Sequence, residues 1–150
     1  MKNLVFILFA SLLFTACNNK ADQPAADDDT LTAATTYYWE ATDTGDLAIV
    51  RHEGDGPRAL SIDSVIAFLN RRYANVQLVF VKTSHDTLFT KIPESTILTQ
   101  QMGSTGALYY LVEAVYNLTE IPGIRYVDFD FEEGDHALPG TRSRNSLEPQ

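Results

Sequence analysis

Tyr126-Val127-Asp128-Phe129-Asp130-Phe131-Glu132 alternates apolar and acidic side chains, so Val127, Phe129 and Phe131 share one face and Asp128, Asp130 and Glu132 the other. A strand with a two-residue repeat of this kind buries one face and wets the other. The buried face requires an apolar layer opposite it, and the sequence just upstream supplies one. Leu108, Leu111, Val112, Val115 and Leu118 recur at helical spacing and form one stripe. Pro122-Gly123 then ends that helix, since neither residue continues it readily. Gly103-Ser104-Thr105-Gly106 opens it, with Ser104 or Thr105 expected as the cap. The same four residues are not a phosphate loop, because no lysine follows at the required spacing.

Further upstream, Val76 to Lys82 is β-branched and apolar on both faces, which predicts a central strand. Ser84-His85-Asp86-Thr87 turns it into a second strand, Leu88 to Ile92, which Pro93 ends. Before it, Ile62, Val65, Ile66, Leu69 and Tyr73 fall on one helical face, with Ser61 available as N-cap. Tyr37, Trp39 and Ala41 alternate with polar neighbours, Asp43-Thr44-Gly45-Asp46 supplies a turn, and Leu47, Ile49 and Arg51 alternate again, predicting a hairpin. The order ββαββαβ predicts an α+β fold, a two-layer sandwich with a mainly antiparallel sheet of about five strands and two helices on one face.

The chain begins with Lys2, an uncharged apolar run from Leu4 to Phe14, and the small pair Thr15-Ala16 before Cys17. Residues 1–16 read as an export signal. Eleven apolar residues are too few for a spanning helix, which needs about 20. Phe14-Thr15-Ala16-Cys17 resembles a lipobox, so Cys17 is the expected lipidation site and the lipid bilayer the expected partner through it. Cys17 is the only cysteine in the chain and has no disulfide partner within it. Two or three acyl chains, at about 0.8 kcal/mol per buried CH₂, make such an anchor effectively permanent. This places the protein in the cell envelope, lipid-anchored, periplasmic or surface-exposed, with the outer membrane the expected site.

Loss of residues 1–16 removes Lys2 and takes the formal charge from −9 to −10. Such a surface is a poor partner for nucleic acid. Residues 17–34 hold Pro24, several alanines and Asp27-Asp28-Asp29 but no aromatic residue, which predicts a flexible acidic tether. Its r.m.s. span is about 20 to 25 Å, enough to hold a domain clear of the headgroups. The folded domain is expected over residues 35–141, and a disordered tail over 142–150.

Two strings carry a family resemblance. Trp39 to Val50 is similar to the first hairpin of the GerMN domain, the module named for sporulation and spore germination proteins. Ala114 to Val127, above all Leu118-Thr119-Glu120-Ile121-Pro122-Gly123, resembles that family's closing helix, loop and strand. The likeness covers about residues 37–134. It implies a noncatalytic envelope module, of a kind often found on lipoproteins, that acts on an envelope protein or on the cell wall. It carries over no catalytic residue and no cofactor.

Among residues that could do chemistry, His85 reads as a polar turn residue and His52 as a strand end. Asp135 and His136, close to Glu132 and Glu133, form a weak candidate site for a carboxylate-histidine metal centre or an acid-base pair. No second histidine or thiolate falls at ligand spacing, so no metal is assigned. Ser104 with His136 is formally a nucleophile and base, yet no Gly-x-Ser-x-Gly elbow is present. The tyrosines and tryptophan at 37–39, 109, 110 and 116 are too many for one small core. Tyr38, Tyr109 and Tyr110 are therefore the expected interaction surface. A binding or scaffold module fits these features best; a small hydrolase centred on Asp135 and His136, or a peptidoglycan binder, is the alternative.

Overall fold

A computed structural model describes residues 36–43 and 47–146. The export signal, Cys17, the acidic tether, the turn at 44–46 and residues 147–150 lie outside the described residues. The elements run β1 (Tyr37–Asp43), β2 (Leu47–Glu53), α1 (Ile62–Arg72), β3 (Val79–Ser84), β4 (Thr87–Lys91), a π-helical turn (Ile97–Gln101), α2 (Gly103–Leu118), β5 (Tyr126–Asp130), β6 (Gly140–Arg142) and a 3₁₀ turn (Arg144–Ser146). The fold is α+β, as the hydrophobic patterning requires.

The single five-stranded sheet is replaced by two sheets, an antiparallel β1-β2 hairpin and a four-stranded sheet in the order β3-β4-β5-β6. β4 and β5 pair in parallel, because α2 carries the chain back over the sheet between them. β3 is an edge strand with all six residues exposed, not the central strand its composition suggests. Asn70 on α1 accounts for part of that difference. Its side-chain amide donates to the Leu78 carbonyl at 2.9 Å and accepts the Leu78 N–H at 2.8 Å, so residues 76–78 are held to the helix instead of the sheet. Val76 and Leu78 are buried there.

Ser61 caps α1 as its position predicts, accepting the Ser64 N–H at 3.4 Å, with Asp63 in the first turn and Arg71 and Arg72 in the last. The helix buries Val65, Ile66, Phe68 and Leu69. These meet Leu88 of β4, Val127 and Phe129 of β5, and one side of α2 in a single core.

α2 is buried on two sides, which separates the hairpin from the main sheet. One side packs on the core through Leu111, Val115 and Leu118; the other presents Glu113 and Asn117 to the free edge of β1, with Glu120 added from the turn that follows the helix. The Ala41 N–H donates to Glu113 at 3.0 Å, and the Trp39 indole and Tyr37 hydroxyl donate to Glu120 at 2.9 and 2.6 Å. Arg72 ties Glu113 to Glu40, and Glu40 reaches the His52 ring at 3.0 Å. The exposed edge of β1 is thus covered by helix side chains, one of the ways sheets avoid unwanted pairing.

The tail expected to be disordered from residue 142 is structured as far as Ser146. Arg144 anchors it by donating to the Tyr116 carbonyl, to Thr119 and to Glu120. Ordering by a charged side chain leaves no trace in an apolar count.

Candidate functional site

A groove of about 430 Å³ runs between the first half of α2 and the chain that follows β5. Leu108 and Leu111 form its helical wall; Asp135, His136 and Leu138 form the other, and Arg142 of β6 completes it. The loop wall is set by close packing. A side chain at Gly134 would lie 2.7 Å from the Thr99 Cβ and 2.9 Å from its carbonyl oxygen, so only glycine lets the loop approach the π-helical turn this closely. The same carbonyl accepts the His136 N–H at 2.9 Å, and the Gly134 N–H closes the loop on Ala137 at 3.2 Å.

Leu108 and Leu138 are 41% and 60% exposed, so the groove carries apolar surface in water. Arg142 pairs with Val127 across β5-β6 and so occupies the face of the sheet that looks towards the helices. Its guanidinium donates to the carbonyls of Gly140 and Leu138 at 3.2 and 2.6 Å. It forms no ion pair with a carboxylate among the described residues. Burial holds its pKa below the ordinary arginine value, and Asp128 offsets this only in part. Of its five N–H groups, these two bonds leave three to spare.

Asp135 and His136 are brought together at this groove, whereas Glu132 and Glu133 are exposed and outside its lining. Among the described residues no three histidine, cysteine or acidic side chains converge as a metal site would require. Ser104 does not cap α2: the residue before the helix is Met102, with no side-chain cap bond. The Ser104 hydroxyl instead lies 3.2 Å from the His136 Nδ1, so the serine and histidine do meet. No carboxylate among the described residues hydrogen-bonds the His136 ring, so the pair lacks the third group that orients a catalytic histidine.

Of the expected tyrosine surface, Tyr110 alone is corrected. Tyr110 is fully buried, edge-on to Tyr73 with ring centroids 5.0 Å apart. Tyr38 is half-buried, stacked on His52 at 5.1 Å and packed against Phe68, and Tyr109 is half-exposed. The larger groups of exposed apolar residues lie elsewhere, at Val79, Phe80 and Val81 on β3 and at Leu108 and Leu138 in the groove, with Val50, Leu60 and Tyr126 exposed singly. The β3 edge carries a register shift between Phe80 and Lys82, and the Lys82 ammonium sits 4.9 Å above the Phe89 ring. A bulge and a lysine are features that discourage strand addition. The groove has no such guard.

No protein-family model matches the chain, and no curated protein or solved structure matches it. Its function has to be read from its own residues. Two groove residues escape a reading of the sequence, Leu138 and Arg142, because they sit in a short polar stretch with neither period. The one signal available was the lone leucine beside Pro139 in an otherwise polar segment.

Proposed function

We propose that this chain is a lipid-anchored lipoprotein of the cell envelope whose small α+β domain, GerMN-like in layout, is a noncatalytic binding module. Acylated Cys17 ties it to the bilayer, the acidic tether gives the domain reach, and the groove between α2 and β6 meets the partner. The observation that carries the reading is Arg142, a cation on the core side of an edge strand, with spare donors and two exposed leucines beside it. Partner sites commonly combine apolar contact with one or two oriented polar groups of this kind.

A photo-crosslinking residue at position 138 in living cells tests this, with position 58, outside the groove, as control. Discrete adducts from 138 alone are expected, in wild type and in membrane fractions that survive carbonate washing. Cys17→Ser should release the protein into the soluble fraction. Adducts that do not depend on position would count against the groove, and pelleting of the serine variant would count against the anchor.

The hydroxyl of Ser104 beside His136 favours a second reading, a small hydrolase centred on Asp135 and His136. Covalent labelling of Ser104 by a fluorophosphonate, lost in His136→Ala, would establish it in place of the first. A wall-binding module would instead bring the protein down with insoluble peptidoglycan.

A further inference from the structure

We propose that the groove captures the free C-terminal carboxylate of a peptide ending in an apolar residue, with Arg142 as the partner of that carboxylate. The inference rests on the binding-module reading and names its ligand.

Arg142 is the key. An arginine on the inner face of a sheet is held there by hydrogen bonds, and its two acceptors are the neutral carbonyls of Gly140 and Leu138. A guanidinium presents a planar fork that matches a carboxylate with two parallel bonds, and Arg142 keeps three N–H groups for such a bond. Partial burial strengthens a charged pair relative to one in open water. The domain as a whole is acidic, so attraction at long range does not bring the anion in; contact at Arg142 has to do it.

The rest of the groove describes what the carboxylate is attached to. Leu108, Leu111 and Leu138 offer an apolar surface for a terminal side chain. Asp135 lines the same groove, and an acceptor there suits the backbone N–H groups of a peptide. A fatty acid would satisfy Arg142 but would lay hydrocarbon beside the Asp135 carboxylate, which costs solvation with no bond in return. The volume of about 430 Å³ lies in the range of small-ligand sites and accommodates the last residues of a chain, not a helix.

The test uses the full lipidated chain in nanodiscs and a fluorescein-labelled Gly-Ala-Ala-Leu tetrapeptide, read by anisotropy. The free acid should bind saturably, and its C-terminal amide at least tenfold more weakly. Arg142→Met should weaken the acid by a similar factor, with circular dichroism unchanged. Should that variant unfold, the comparison of acid with amide on wild type still decides. Octanoate should fail to displace the peptide. Equal affinity for acid and amide, displacement by octanoate, or no saturable binding of the acid overturns the inference. Position-specific crosslinking at 138 with any of those results leaves the binding module standing and removes only this ligand; the absence of both removes the two together.

Discussion

Asn117 holds Trp39 by both of its backbone groups: its Oδ1 accepts the Trp39 N–H at 3.0 Å and its Nδ2 donates to the Trp39 carbonyl at 2.8 Å. A primary amide offers the same donor and acceptor as a peptide unit, so a helix side chain occupies the place of a neighbouring strand. Its Nδ2 also donates to the Glu113 carbonyl at 2.8 Å, and the side chain is nearly fully buried. Asn117→Leu leaves both Trp39 groups facing hydrocarbon and should cost about 2 to 4 kcal/mol, the lower part of the range for two polar groups left unpaired because Trp39 is only partly buried. Urea unfolding measures the loss, and hydrogen exchange at the Trp39 amide should accelerate in step. A loss under about 1 kcal/mol would mean that water replaces the amide there.

Tyr110 makes the opposite case. Its hydroxyl is buried with no hydrogen-bond partner among the described residues, and burial pushes its pKa far above the usual phenol value. Removing that oxygen removes a desolvation cost and no bond. Tyr110→Phe should therefore be neutral or stabilising by up to about 1 kcal/mol, whereas Tyr110→Ala should cost about 3 to 5 kcal/mol through the cavity it opens. Thermal unfolding of the two variants separates these outcomes. A phenylalanine variant less stable than wild type would reveal a bond to the oxygen.

Glu120 links stability to pH. Burial disfavours its charge, but hydrogen bonds from Tyr37, Arg144 and Trp39 outweigh burial and hold its pKa below the ordinary value of 4.5. The folded chain therefore releases this proton more readily than the unfolded chain. The stabilisation is complete above about pH 4.5 and is lost as the pH falls through the lower, folded value. Glu120→Gln should lower stability at pH 7 and flatten its decline between pH 5 and 3. Urea midpoints measured across that range check it; parallel pH profiles for the two proteins would show that Glu120 is not the titrating group.

The same contacts explain what could be foreseen. Ser61 as a cap, the periodicity of α1, the turn at His85 and the stop at Pro122-Gly123 are local rules, and the chain obeys them. The division into two sheets is not local. Glu113 and Asn117 look like the wet face of a helix, and nothing in the sequence tells that β1 will dry them. Leu108 errs in the other direction: it completes an apolar stripe, yet it lines the groove and stays exposed while its helix neighbours Ala107 and Leu111 are buried in the core. Asp135 and His136 were legible as neighbours in the chain. Their association with Arg142 was not, since β6 is three residues long and carries no alternation.

Gly134 tests whether the groove depends on its support from behind. Its added Cβ would meet the Thr99 backbone as well as its side chain, and a carbonyl oxygen cannot rotate aside. Gly134→Ala must displace either the π-helical turn or the loop that carries Asp135 and His136. Overpacking of this type costs about 1 to 3 kcal/mol. The loop is the softer partner, being held to Thr99 by the single His136 N–H bond. It should move, lengthening the Ser104–His136 contact and shifting the His136 ring resonances in NMR while those of His52 stay in place. The hairpin contacts at Asn117 should be unaffected, so the Trp39 amide should keep its exchange protection relative to global stability. Retention of both the His136 shifts and the wild-type stability would show that the chain relaxes around the methyl group, and that the groove wall is not set by this contact.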